Sequence, residues 1–229
     1  PGAMYQKMTR RSRPPPTYLG VLGLTTGLTA YVGLLEVINV NQGDTVVVSG
    51  AAGAVGSVAC QLARIAGARV IGIAGGADKT RYLTDTIGAD AAIDYKNEDV
   101  GARLTELAPK GVDVFFDNVG GELLDTVLDR IATGARVSIC GAISQYQHLD
   151  DVRGPKLYLR LAERNARMCG FTVDHYASKF GEASVRLAGW MNEGKLKLPE
   201  HVEPGIDRFP GALIKLFTGG HKGKMLVTP

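Results

Sequence analysis

Three glycines at spacing three, Gly50, Gly53 and Gly56, follow a β-branched apolar run, Val46-Val47-Val48. The residues between them are small: Ala51, Ala52, Ala54 and Val55. A strand that ends in such a turn and continues into a helix presents free backbone N–H groups, and the helix dipole favours negative charge beside them. Small side chains let a phosphate approach the backbone closely. The chemistry implied is pyrophosphate binding. The spacing is G-x-x-G-x-x-G rather than the common dinucleotide pattern G-x-G-x-x-G, so the glycines by themselves also fit a tight turn in another α/β protein.

The end of the next strand narrows the ligand. A site for a 2′-hydroxyl usually carries an acid about 20 residues past the glycines. Here that spacing falls on Gly75 and Gly76, in the run Ala74-Gly75-Gly76-Ala77, and no acid stands there. Lys79 and Arg81 follow, and Tyr95-Lys96 comes after a third apolar strand, Ala91 to Asp94. An acid-free strand end with cations nearby suits a 2′-phosphate, so the chain is expected to favour NADP over NAD. Lys79 and Arg81 also fit plain solvated helix charges. Asp78 reads either as a helix N-cap or as a ribose contact.

These residues need a scaffold, and the pattern supplies one. Val55, Val58, Ala59, Leu62, Ala63 and Ile65 form the apolar stripe of a helix after the glycines, and Val70, Ile71 and Ile73 begin the second strand. Val112–Asp117, Ala135–Cys140 and Arg167–Val173 read as further strands, and Glu122–Ile131 and Ser184–Asn192 as helices. Strands separated by helical stretches of about ten residues predict an α/β fold with a doubly wound parallel sheet. In such a sheet the ligand lies beyond the C-terminal strand ends. Glycine stands at most of those ends, as it also does in ordinary connecting loops.

Taken in order, YLGVLGLTTGLTAYVGLL, SGAAGAVGSVACQLA, GIAGGADKTRYL, AAIDYK, FFDNVGGELLDTVL, SICGAISQY, GFTV and GKLK resemble the medium-chain dehydrogenase/reductase superfamily. The resemblance runs from Tyr18 to the C-terminus and is strongest to the zinc-independent leukotriene B4 dehydrogenase, prostaglandin reductase and alkenal double-bond reductase group. It implies a Rossmann-like cofactor domain and NADPH-dependent reduction of the C=C bond of α,β-unsaturated aldehydes or ketones. It assigns the pyrophosphate to Gly53, Ala54, Val55 and Gly56, and the 2′-phosphate to Lys79 and Tyr95. Asn118 stands in the matching DNVGG turn. Cys140, Gly141, Ala142, Ile143, Ser144, Gln145 and Tyr146 would wrap the nicotinamide ribose side. Phe171-Thr172-Val173 would meet the nicotinamide amide through backbone groups of Phe171 and Val173. Near the C-terminus the group usually carries an Asn one residue before Gly-Lys. This chain has His221-Lys222-Gly223-Lys224, so an imidazole takes the place of that contact. Gln147 departs from the usual SQYN.

In the implied reaction, hydride reaches the β-carbon and negative charge develops on the carbonyl oxygen. A donor aimed at that oxygen favours the transition state over the ground state. Tyr146 is the candidate catalytic donor, since its hydroxyl hydrogen-bonds without ionising at neutral pH. Packing over the cofactor is its other reading. No strong general acid stands out, so solvent is the expected source of the α-carbon proton.

Other chemistries find little support. Cys60, Cys140 and Cys169 are widely spaced, with no C-x-x-C and no H-x-x-x-H, so no metal site is expected within the chain. Cys60 and Cys169 read as buried thiols, and His148, His175 and His201 as surface histidines. The odd cysteine count and the lack of a secretory signal point to a cytoplasmic protein. G-x-S-x-G is absent. The net charge is +3, and Lys7, Arg10, Arg11 and Arg13 supply the excess; the remainder is nearly neutral, which gives no support to nucleic-acid binding. Tyr18–Leu35 carries no charge, yet Gly20, Gly23, Gly27, Gly33 and three threonines make it only moderately apolar. The resemblance places it at the entry to the cofactor domain, and no membrane partner is expected.

The organisation expected is a basic, proline-rich leader or expression remnant at 1–17, a dinucleotide-binding domain at 18–193, and a segment at 194–229. In the superfamily a GroES-like β-rich domain comes first, and 194–229 reads as the C-terminal remnant of that catalytic domain. The expected protein is therefore a fragment of a reductase acting on a small enone or enal. Its terminal run Lys224-Met225-Leu226-Val227 reads as a strand without its usual partners, and a bare strand edge invites a homodimer. A non-catalytic NADPH-binding module, a quinone-reductase-like protein and a zinc-type alcohol dehydrogenase relative stay open beside the enone reductase.

Overall fold

The computed structural model describes residues 15–147 and 149–229; the leader reading of 1–14 and His148 lie outside the described residues. In chain order the elements are α1 (Pro15–Leu19), α2 (Thr29–Tyr31), β1 (Thr45–Val48), α3 (Ala54–Ile65), β2 (Arg69–Ala74), α4 (Ala77–Arg81) and β3 (Ala91–Asp94). Then come α5 (Val100–Leu107), β4 (Val112–Asp117), α6 (Gly121–Leu128), β5 (Ile131–Ile139), α7 (Leu159–Glu163), β6 (Arg167–Gly170) and α8 (Phe180–Asn192). The chain finishes with β7 (Glu200–Pro204), α9 (Phe209–Phe217) and β8 (Lys224–Thr228). Wide-pitched turns, Leu24–Leu28 and Val32–Val37, flank α2.

β1 shows why these residues build a two-faced sheet. Successive side chains point to opposite faces. Val46 and Val48 join a buried cluster with Tyr31, Leu34 and Leu62, while Val47 joins a second cluster with Ile71, Leu104 and Phe115. A strand buried on both faces has no use for polar alternation, hence the continuous valine run. The parallel sheet has the order β3-β2-β1-β4-β5-β6, with Val46 beside both Val70 and Val114. This is the Rossmann arrangement. The order reverses between β1 and β4, and there the loops after the two strands diverge and leave a crevice.

The uncharged entry stretch is core rather than surface. The run Thr17–Val37 is long and apolar enough to cross a membrane, but more than half of its most apolar window is buried inside the protein. Ala30, Tyr31, Val32 and Leu34 are fully buried. Gly33 is required by close packing, because a Cβ there would lie 2.7 Å from the Phe116 ring and also meet Phe171.

Several boundaries differ from the sequence expectation. The predicted helix Glu122–Ile131 stops at Leu128, and Ile131 already starts β5, opposite Val112. β6 ends at Gly170 rather than Val173, and α8 begins at Phe180 rather than Ser184. The larger correction concerns the terminal run. β8 is paired: Met225 stands opposite His201 and Leu226 opposite Val202 in a parallel ladder with β7, with α9 as the crossover. The sheet has two strands, so among the described residues the other edge of β8 pairs with no strand. Several contacts join the β7–α9–β8 unit to the sheet domain, the Lys222 ammonium over the Tyr82 ring among them. Gln61 holds Lys197, Gly53 bridges to Gly223, and Lys224 Nζ donates to Thr26 Oγ1 at 3.1 Å.

Candidate functional site: a cleft across the strand ends

A cleft of about 1730 Å³ crosses the C-terminal ends of the strands. Its floor is the turn after β1. Gly53 caps α3 in an extended conformation with no side-chain cap, and the first helical bond closes from the Ser57 N–H to the Gly53 carbonyl at 2.9 Å. The amides of Ala54, Val55 and Gly56 precede that bond, so no intrahelical acceptor exists for them. Gly56 lets the helix start hard against the turn, since a Cβ there would lie 2.7 Å from Ala51 Cα. Gly53, Ala54, Val55 and Gly56 all line the cleft.

A hub that the sequence reading missed fixes this floor. Asp117 is fully buried at the end of β4. Its carboxylate accepts from Ser49 Oγ at 2.7 Å, from the Val119 N–H at 3.0 Å and from the Gly120 N–H at 3.0 Å. Burial pushes the Asp117 carboxyl above its ordinary range, and these donors oppose the rise. Ser49 Oγ in turn accepts from the Asn118 N–H at 2.8 Å, and Asn118 Nδ2 donates to the Ser49 carbonyl at 2.7 Å. The β1 and β4 loops are thereby locked to each other at the point where the sheet order reverses. Gly120 and Gly121 follow with φ of +67° and +61°, a left-handed pair that side chains rarely adopt.

The next loop is fastened to the same edge. The N–H groups of Cys140 and Gly141 donate to the Asp117 carbonyl, that of Ile143 to Asn118, and that of Ser144 to Val119. Ile143, Ser144 and Gln145 reach the cleft, whereas Cys140, Gly141, Ala142 and Tyr146 support the loop from outside its lining. Burial, and then Asp117, push the Cys140 thiol up to about 12, which keeps it protonated. Tyr146 is 49% exposed, and its hydroxyl oxygen accepts the Ala142 N–H at 3.1 Å.

At the other end of the cleft stand Lys79 and Tyr95. A Cβ on Gly75 would meet the Tyr95 ring and the Lys96 stem at 2.9 Å, so glycine is what lets both lie across the end of β2. Burial holds Lys79 below its ordinary value, and the charges of Lys96 and Lys222 lower it further. Positive charge is concentrated here, with the Asp94 carboxylate within reach of Lys96. The carboxylate nearest by topology, Asp94, is committed elsewhere: it accepts from the Gly76 N–H at 2.7 Å, the Asn97 amide at 2.7 Å and the Lys96 N–H at 3.1 Å. The Gly76 bond, then the Asn97 bond, hold its carboxyl below the usual range. Asp78 is not the N-cap; Gly76 takes that place, and Asp78 pairs with Arg81 on the exposed face of α4. His221 enters the cleft from the turn before β8, and its Nδ1 is buried with no partner.

Some expected residues are not brought to the cleft. Phe171 and Val173 pack against the apolar core, and Thr172 precedes a short helical turn. Cys169 is half-buried, unlike Cys60, which is fully buried. His175 is exposed, but His201 is not a bare surface histidine: its Nε2 lies 2.9 Å from both Glu203 Oε1 and Lys215 Nζ. Among the described residues no group of three or more His, Cys, Asp or Glu side chains could hold a metal ion.

The sheet order, the glycine turn and the cleft across the strand ends coincide with a family match. The family described as zinc-binding dehydrogenase matches residues 54–188, from the start of α3 into α8. The chain belongs to this family, within the medium-chain dehydrogenase/reductase superfamily. Its similarity extends beyond the matched region. It is 40% identical over 212 residues to prostaglandin reductase 1 of Mus musculus, covering 91% of this chain and 64% of that protein. It is 34% identical over 226 residues to the NADPH-dependent curcumin reductase of Escherichia coli, covering 96% and 65%. Among solved structures it is similar to CurA of Vibrio vulnificus in complex with NADPH, at a TM-score of 0.88 and 40% identity, covering 95% of this chain and 66% of that one. The chain thus spans about two thirds of the length of these dehydrogenase-family relatives.

Proposed function

We propose that this chain is the cofactor-holding part of an NADPH-dependent, zinc-independent reductase that saturates the C=C bond of α,β-unsaturated ketones or aldehydes. One observation carries the cofactor reading: the cleft runs from the open amides of 54–56 to Lys79, with the charge of Lys96 beside it, and the Asp94 carboxylate is taken up by the Gly76 N–H and the Asn97 amide. A pyrophosphate fits the first and a 2′-phosphate the second. Gly53 and His221 line the same cleft, and the Nδ1 of His221 is buried without a partner. The enone reading is supported by relatives named as reductases of prostaglandin and curcumin.

Bound here, NADPH would supply a hydride for the β-carbon of the enone. The chain's own contribution is positioning and charge stabilisation. The Ser49–Asp117–Asn118 hub holds the two loops that flank the cleft in one geometry, so little reorganisation is needed at the moment of reaction. Tyr146 accepts the Ala142 N–H, which leaves its own proton to donate to the developing enolate oxygen. Its exposure admits water, which protonates the α-carbon.

A second reading is favoured by that same residue. Tyr146 lies outside the cleft lining, which suits a module that binds NADPH without turnover. Calorimetric titration with NADPH and NADH, followed by NADPH oxidation in the presence of a simple enone, separates the cases. Tight NADPH binding with enone-dependent oxidation supports the reductase. Binding without oxidation supports the module. Equal affinity for the two dinucleotides would sink the 2′-phosphate assignment.

A further inference from the structure

His221 is set apart from the other cleft residues by what surrounds it. It stands on the turn between α9 and β8, lines the cleft, and its Nδ1 is shut off from water without a hydrogen-bond partner. Lys79 faces it from α4, His201 from β7, and Lys215 from α9. The turn that carries it sits directly on Lys79, since a Cβ on Gly219 would lie 3.3 Å from Lys79 Nζ. Glu203, the acid of this neighbourhood, is spent on Lys215 and His201, at 3.0 and 2.9 Å. A buried, unpartnered ring nitrogen beside an ammonium lacks one thing, an acceptor with negative charge.

We propose that His221 is a proton-coupled phosphate ligand: it takes up a proton as a phosphate of the dinucleotide arrives, and with Lys79 clasps that phosphate, so that cofactor binding is tied to pH. This rests on the dinucleotide reading above. In the empty cleft the proton is disfavoured. Burial first, and then Lys79, hold the imidazole below its ordinary value; His201 and the Lys215 ammonium add to this, and the Lys215 carbonyl opposes it. A bound phosphate reverses the sign of the local charge and raises the imidazole again. Protons are therefore taken up on binding between the free and the bound values. Affinity is greatest at the acid side and falls as pH rises through the bound value.

The test is calorimetry of NADPH binding to the chain in two buffers of different ionisation enthalpy, for wild type, His221→Asn and His221→Ala, each checked for folding by thermal melting. The phosphate's own second ionisation, near pH ~6, is common to all three proteins and cancels in the comparison. Wild type is expected to take up protons that His221→Asn does not. Its affinity is expected to fall about tenfold more than the variant's between about pH 6 and about pH 8. His221→Asn keeps a polar group without a titrating one, so it decides the matter if His221→Ala fails to fold. A loss in His221→Asn seen with NADPH and not with NADH places the imidazole on the 2′-phosphate; an equal loss with both places it on the pyrophosphate. Equal proton uptake in wild type and His221→Asn overturns the proposal and leaves the reductase reading standing. A wild-type chain that binds neither dinucleotide overturns both.

Discussion

The side-chain amide of Gln61 binds the backbone of Lys197 in both directions: Nε2 donates to the Lys197 carbonyl at 2.6 Å, and Oε1 accepts from the Lys197 N–H at 2.8 Å. A side chain on α3 thus behaves as a piece of strand for a segment 136 residues later in the chain. The same Nε2 also donates to the Ser57 carbonyl at 2.9 Å, so both donor hydrogens of this buried amide are spent on backbone carbonyls.

Replacing Gln61 with Leu keeps much of the volume and leaves both backbone groups of Lys197 without a partner. Lys197 itself is exposed, so the loss is that of ordinary hydrogen bonds, about 0.5–1.5 kcal/mol each. The Gln61→Leu chain is expected to melt several degrees below wild type. Hydrogen exchange should show the loss concentrated in the segment before β7. A melt that coincides with wild type would mean that water replaces the clamp.

Lys79 carries opposite weights in the empty and the filled cleft. Without a ligand it is destabilised by burial and by Lys96 and Lys222. A lysine held below its ordinary value lowers stability while it is charged, so Lys79→Ala is expected to raise the melting temperature of the ligand-free chain at neutral pH. The same change removes a charge-assisted bond to the 2′-phosphate. NADPH affinity should fall roughly 10- to 100-fold, from about 1.5–3 kcal/mol, with NADH affinity little changed. Parallel melts and titrations check both signs, and a comparable loss for NADH would remove Lys79 from the 2′-phosphate.

Tyr146 separates binding from chemistry. Tyr146→Phe removes the acceptor for the Ala142 N–H together with the proposed donor, on a half-exposed loop. NADPH affinity is expected to stay within a few-fold of wild type, while the rate of enone reduction falls by roughly 100-fold, the scale of a lost oxyanion donor. An unchanged rate would assign the hydroxyl to loop support alone.

The β7–α9–β8 unit has its own acid limit. Glu203 is held below its ordinary value by His201 first and then Lys215. Its contribution to stability is therefore fully present above the unfolded glutamate value of about 4.3 and is lost as pH falls through the lower folded value. Glu203→Gln should flatten the acid limb of a plot of melting temperature against pH. The neutral region should drop, since the partners Lys215 and His201 lose their carboxylate. An acid limb identical to wild type would show that other carboxylates govern it.

Much of this was legible because it is local. The span Thr45–Gly76 announces strand, turn, helix and strand through small residues and apolar runs, and β3 falls on Ala91–Asp94 as read. The Lys79 and Tyr95 end of the cleft was legible as the lack of an acid at Gly75 and Gly76. What stayed hidden depends on distant pairing. Ser49 and Asp117 are 68 residues apart, and neither has a neighbour whose spacing hints at the other. β7, Glu200–Pro204, sets Glu200, His201 and Glu203 around Val202 and gives no strand pattern, so the expected partners of β8 were those of a separate catalytic domain. Phe171 carries the matching motif, and its ring packs into the core in the space beside Gly33, which the motif alone does not show. The signal that was available for the hub was the acid at the end of an otherwise apolar strand: an Asp after Val114-Phe115-Phe116 has to find donors where it stands.

The bridge between Gly53 and Gly223 is made of main chain on both sides, with the Gly223 N–H donating to the Ala52 carbonyl at 2.9 Å. Gly223 itself has no latitude, since any side chain there would run into the Pro199 carbonyl. The side chain of His221 takes no part in that main-chain bridge, whereas Lys222 Nζ lies over the Tyr82 ring, 5.8 Å from its centre. For protein engineering this divides the turn into a fixed hinge pin, a strut at 222 and one interchangeable head at 221. An exchange of the imidazole for an amide at 221 leaves the main-chain joint between the two sheets unchanged.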